Sequence, residues 1–74
     1  MTDITPDFLV NKLKLFLNEE EARKGINESI KVNGFVIQES YSNEDMNKIL
    51  DSLITKGGYF EFVARNAKIA LMVK

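Results

Sequence analysis

Tyr59-Phe60-Glu61-Phe62-Val63-Ala64-Arg65-Asn66-Ala67-Lys68-Ile69-Ala70-Leu71-Met72-Val73 is the stretch on which the fold turns. Tyr59 to Ala64 and Lys68 to Val73 alternate in character, and a period of two is the signature of a half-buried strand. Phe60, Phe62 and Ala64 fall on one face, as do Ile69, Leu71 and Val73. Arg65-Asn66-Ala67 would then join two strands as a hairpin, although no glycine marks the turn.

Just upstream, Ser42-Asn43-Glu44-Asp45 has the form of a capped helix start with acids in its first turn. Met46, Ile49, Leu50, Leu53 and Ile54 follow at i, i+3, i+4, i+7 and i+8, and Lys56-Gly57-Gly58 ends the run. This predicts an amphipathic helix. Further upstream, Ser29-Ile30-Lys31-Val32 and Phe35-Val36-Ile37-Gln38 flank Asn33-Gly34. Asn-Gly between apolar-rich runs predicts a type I′ hairpin, with Ile30, Val32, Phe35 and Ile37 facing the core.

The chain opens on Thr5-Pro6-Asp7, which suits a helix N-cap, its first position and its positive end. Phe8, Leu9, Leu13, Phe16 and Leu17 share one face of that helix, and Val10 and Leu15 widen it. Residues 18–31 admit two readings. The first helix continues through Glu19–Arg23 and Glu20–Lys24 pairs to a stop at Gly25, or it ends at Asn18 and a short second helix carries Ala22, Ile26 and Ile30. The expected order is helix, hairpin, helix, hairpin. The expected fold is α+β, with two helices packed on one face of a small antiparallel sheet. Residues 1–74 make a single small domain, with residues 1–4 flexible.

Composition narrows the chemistry. The chain has no histidine, cysteine or tryptophan, so it lacks the usual general base, the commonest metal ligand and the most nucleophilic side chain. No serine has a histidine partner, and no Asp-x-Asp-x-Asp-Gly spacing is present for calcium. Gly57-Gly58 follows a predicted helix and precedes a predicted strand, the reverse of what a phosphate cradle needs. No catalytic, metal or cofactor site is therefore expected. Hydrophobic residues make up 45%, enough for a core, and no apolar run approaches a membrane span. The absence of cysteine and of a basic leader points to a cytoplasmic protein. The abundance of Asn, Lys and Ile suggests a bacterial, phage or mobile-element gene.

Charge is unevenly spread. Residues 1–45 carry nine acids against five bases, and residues 46–74 carry two acids against five bases. Glu19, Glu20 and Glu21 head the acidic half, and matched potential can steer such a patch to a basic partner. On the outer face of the second predicted hairpin, Tyr59, Val63 and Met72 stand where water alone would favour polar residues. They are the first candidates for a contact surface, with a second copy of the chain or with another protein.

The capped helix ending in Leu53-Ile54-Thr55-Lys56-Gly57-Gly58, followed at once by the hairpin Tyr59–Val73, resembles the last helix and wing of winged-helix DNA-binding domains. The resemblance covers residues 43–74. It implies that Asn43, Asn47 and Lys48 lie on a helix entering the major groove, and Arg65, Asn66 and Lys68 at a wing tip on the backbone. The helix start Glu44-Asp45 is acidic where phosphates would approach, and the pI is about 5.3, which opposes phosphate neutralisation. The expectation from sequence is thus a small non-enzymatic protein-binding factor, an inhibitor, adaptor or accessory protein. DNA binding is the alternative.

Overall fold

The computed structural model of the chain describes residues 4–72. These form four α-helices, α1 (Pro6–Leu13), α2 (Glu19–Val32), α3 (Asn43–Lys56) and α4 (Gly58–Met72), and no strand among the described residues. The α+β expectation is overturned: the first predicted hairpin is the end of α2 followed by an irregular segment, and the second is α4. The helices pack in a ring, each on its chain neighbour and α4 back on α1, with the broadest contact between α3 and α4. Leu9 and Leu13 of α1, Ile26 and Ile30 of α2, and Ile49, Leu50 and Leu53 of α3 meet in the centre with Val63, Ala64 and Ala67 of α4.

Side-chain oxygens satisfy free N–H groups at three helix starts, those at Thr5 and Ser42 as expected and that at Asn18 as one of the two readings. Thr5 Oγ1 accepts from the Phe8 N–H (3.1 Å), and Pro6 takes the first helical position. Asn18 Oδ1 accepts from the Glu21 N–H (2.8 Å), which settles the open segment: α1 ends early and α2 begins at Glu19. Ser42 Oγ accepts from the Asp45 N–H (3.1 Å).

The Asn33-Gly34 hairpin is replaced by a helix stop. Only Gly34 takes a positive φ (77°), whereas Asn33 stays at −84°, so the type I′ geometry, which needs both, does not form. Instead the Gly34 N–H donates to the Lys31 carbonyl (2.9 Å) and the Phe35 N–H to the Ile30 carbonyl (3.2 Å). This is the Schellman pattern, with Phe35 packed on the core as its apolar contact. Asn33 Nδ2 also donates to the Ser29 carbonyl (2.8 Å) and to Ser52 Oγ (3.0 Å), tying the end of α2 to α3. Of the residues expected to face the core from this hairpin, Ile30 does so, while Val32 and Ile37 are exposed.

The second hairpin fails for a different reason. Val63, Ala64, Ala67 and Leu71 are buried at steps of one, three and four, a helical stripe. The alternation that suggested strands arises because α4 is also apolar outside that stripe. Phe62 and Ile69, assigned to the core by a period of two, are exposed, whereas Val63, assigned to the outside, is only 5% exposed. Val73 lies outside the described residues. A strand would have required turn chemistry at Arg65-Asn66-Ala67. Instead Asn66 Nδ2 donates to the Phe62 carbonyl one turn back (3.0 Å).

Gly25, expected to stop a helix, sits buried inside α2. A Cβ there would overlap the Phe60 ring of α4, so the missing side chain lets a half-buried aromatic approach the α2 backbone. Gly57 alone separates α3 from α4. It and Gly58 take positive φ (77° and 60°), which glycine adopts without steric penalty. Residues 1–3 lie outside the described residues. Ile4, expected to be flexible with them, is 5% exposed and part of the core. No helix among the described residues is long and apolar enough to cross a membrane.

Candidate functional site

The feature that stands out is an apolar face built by α1, the turn after it, and α4. Two stripes run along α4. Val63, Ala64, Ala67 and Leu71 face the core. Beside them, Tyr59, Phe62, Asn66 and Ala70 recur at steps of three and four and point away from it. Phe16, just past α1, lies flat on Tyr59 with ring centroids 4.7 Å apart and planes 7° apart. It meets Phe62 edge-on at 5.9 Å. Rings in these arrangements gain beyond simple area burial, so the three aromatics form an ordered platform although each keeps about half of its surface in water. Exposure is 43% for Phe16, 50% for Tyr59 and 56% for Phe62, with Leu15 beside them at 76%.

Two shallow depressions meet on this platform. One, about 220 Å³, lies between α1 and α4, with Phe8, Lys12 and Ala70 along its length and Val63 and Ala67 beneath. The other, about 430 Å³, lies over Gly58 and Tyr59. Phe16 and Phe62 border both, so the two form one groove running along α4 from Gly58 to Ala70. Lys12 is the one charged side chain lining it among the described residues. Its ammonium rests over the Phe8 ring, 5.4 Å from the centroid, a cation–π contact that leaves its hydrogen-bond donors unsaturated. It has no ion pair among the described residues.

Of the interface residues expected from sequence, only Tyr59 belongs to this face. Val63 is buried beneath it, and Met72 is exposed at 75% near the end of α4. Phe16, Phe62 and Leu15 were assigned to the core and missed as surface. For Phe62 the sequence carries a signal: at helical rather than strand spacing, Tyr59, Phe62 and Asn66 form a second ridge beside the core stripe.

Glu19, Glu20 and Glu21 occupy the first turn of α2, the positive end of that helix. Two of them have structural partners. Glu19 contacts Arg23 (2.9 Å) and Lys14 (3.6 Å), and the hydrogen bond from Arg23 holds its carboxyl below the usual 4.5. Glu21 accepts from Asn18 Nδ2 (2.9 Å) in return for the cap it receives. Glu20 is exposed.

The residues expected to touch DNA do not assemble as the winged-helix likeness implied, because the wing is α4. Asn43 opens α3 and Lys48 is exposed on it, while the Asn47 side-chain oxygen is buried without a hydrogen-bond partner among the described residues. Arg65 is paired with Glu61 one turn back (2.8 Å), Lys68 with Asp51 of α3, and Asn66 lines the apolar groove. Among the described residues no group of three or more acidic, histidine or cysteine side chains is placed to hold a metal ion.

Compared with protein-family models, with curated proteins and with solved structures, the chain matches none, so the surface must be read from its own chemistry.

Proposed function

We propose that this protein is a small non-enzymatic binding module that engages another protein through the face formed by Phe16, Tyr59 and Phe62 with Leu15. The observation that carries the reading is the ordered exposure of these side chains beside an apolar groove. Taking roughly 200 Å² for each large side chain, the exposures of the four correspond to about 450 Å² of contiguous apolar surface. The largest apolar patch on a monomer is commonly of about this size and often functional. Aromatic platforms favour binding because they desolvate a large area while immobilising few torsions. The composition supports a non-catalytic role, since the common nucleophile–base pairs need histidine or cysteine.

The test compares proteins retained from a bacterial lysate by the tagged parent and by Phe62→Asp, after circular dichroism has established that both fold. A discrete protein held by the parent and lost by the variant supports the reading. Identical retention by both overturns it.

A further inference from the structure

We infer that the occupant of this face is an amphipathic α-helix of a partner protein, carrying a carboxylate at its edge that meets Lys12. The inference rests on the binding role proposed for the face and specifies what binds. Two observations select the occupant.

The first is shape. The groove follows α4 from Gly58 to Ala70, about 18 Å at the helical rise. A docked helix presenting anchors at i, i+3 or i+4, and i+7 spans about 10 Å, so roughly three turns fit. The row Tyr59, Phe62, Asn66 and Ala70 is a helix ridge of the kind that packs into the groove of another helix. With two adjacent apolar stripes, α4 has the surface of a helix covered on two sides, and one of those sides is open. The described residues contain no strand, so a partner strand would find no sheet edge to extend.

The second is charge. Among the described residues Lys12 is the groove's one charged lining residue, and no acid lines it. From the described residues, the groove of a second copy docked face to face would bring an ammonium and no carboxylate. A helix with an acid beside its apolar stripe supplies the missing charge.

The probe is a displayed library of helical peptides of roughly 14 residues, with apolar residues at the anchor positions and all others randomised. It is selected on the parent chain and counter-selected on Phe62→Asp. The expected survivors carry Asp or Glu beside the apolar stripe. Lys12→Glu should weaken the best of them about tenfold, and a peptide with its acid changed to lysine should regain that loss on the variant. Lys12 is exposed and its variant's folding is checked by its melt. The absence of survivors, survivors without an acid, or indifference to Lys12→Glu overturns the inference. So does a dimer in sedimentation of the parent alone that Phe62→Asp dissociates, which would make the occupant a second copy. If lysate retention depends on Phe62 and no helix is selected, the binding face stands and the helical partner falls. If retention is also unchanged, both fall.

Discussion

Helices α3 and α4 are near-equal in length, are joined through one glycine and pack on each other more broadly than any other pair. One was legible in the sequence and the other was read as two strands. In α3 the apolar residues Met46, Ile49, Leu50 and Leu53 are buried and Ile54 packs half-buried against them, while polar residues such as Asn47, Lys48, Asp51 and Thr55 fill the remaining circumference. A single stripe on a polar helix has one period, and that period is helical. In α4 the buried stripe is flanked by Tyr59, Phe62, Ile69 and Met72, all at least half exposed. These extra residues blur the period until alternation fits as well. The side chains that disguised the helix are largely those that now face water. Misreading and candidate surface have the same cause: apolar residues in excess of what the core needs.

The comparison can be broken by substitutions that exchange the roles of neighbouring positions. The largest effect is expected from Val63→Glu. Its parent side chain is 5% exposed, so the change buries an unpaired carboxylate and should cost about 3–5 kcal/mol. That is comparable to the whole stability of a small domain. Circular dichroism should show an unfolded chain at 37 °C. If it melts like the parent, the register of α4 is wrong.

Next come Leu50→Ala and Phe62→Ala as a pair. Leu50 is fully buried in α3, and its truncation should cost about 2–5 kcal/mol. Phe62 is 56% exposed in α4, and its loss should cost under about 1 kcal/mol. A strand reading of residues 59–64 requires equal costs, so chemical denaturation of the two variants separates the folds directly.

Gly25→Ala sharpens the account of how α4 reaches α2. By helix propensity alone it should stabilise by up to about 1 kcal/mol. Because the new methyl overlaps the Phe60 ring, it should instead destabilise by about 1–3 kcal/mol. In the Phe60→Leu background the two losses should sum to more than the double variant shows. Strict additivity would place the ring elsewhere.

Ser42→Ala removes the cap of α3 and should lower the midpoint by an amount corresponding to about 1 kcal/mol. Helix α4 has no side-chain counterpart of this cap, since its first hydrogen bond runs from the Glu61 N–H to the Gly57 carbonyl (3.2 Å).

The smallest effect is in the exposed charged rim. Lys56 of α3 reaches Glu28 of α2 (2.8 Å) and also lies 5.9 Å from the Phe60 ring centroid of α4. Its hydrogen bond holds the Glu28 carboxyl below the usual 4.5. A depressed carboxyl stabilises the fold fully above its unfolded value. That contribution is lost as pH falls through the lower folded value. Stability should therefore decline below about pH 4.5, and Glu28→Gln should flatten the decline in a pH series of melts. An unchanged slope would remove the Glu28–Lys56 link from the acid response.

Much of the chain was open to direct reading. The caps Thr5 and Ser42, and Asn18 as one of two readings, speak through local chemistry, a side-chain oxygen within reach of an N–H three residues on. The α3 stripe is local in the same sense. So is the poverty of catalytic side chains, which needs only counting. Local rules also found that Gly34, Gly57 and Gly58 mark chain reversals, because positive φ belongs to the residue itself.

What a reversal joins is another matter. Asn33-Gly34 suits a hairpin or a helix stop equally well by composition. The helix stop prevails because Asn33 reaches the Ser29 carbonyl and Ser52, the latter on α3, and because Phe35 drops onto the core. Gly25 is a stop signal in isolation and a packing surface once Phe60, distant in sequence, lies against it. In α4, helix and strand were separable only by which apolar side chains found partners. Burial of Val63, Ala67 and Leu71 against the other helices selects the helix. Local chemistry acts within a turn or two of chain and is written residue by residue. Burial is a property of pairs far apart in sequence, so the assignment of α4, and with it the exposed aromatic face, waited on the packed molecule.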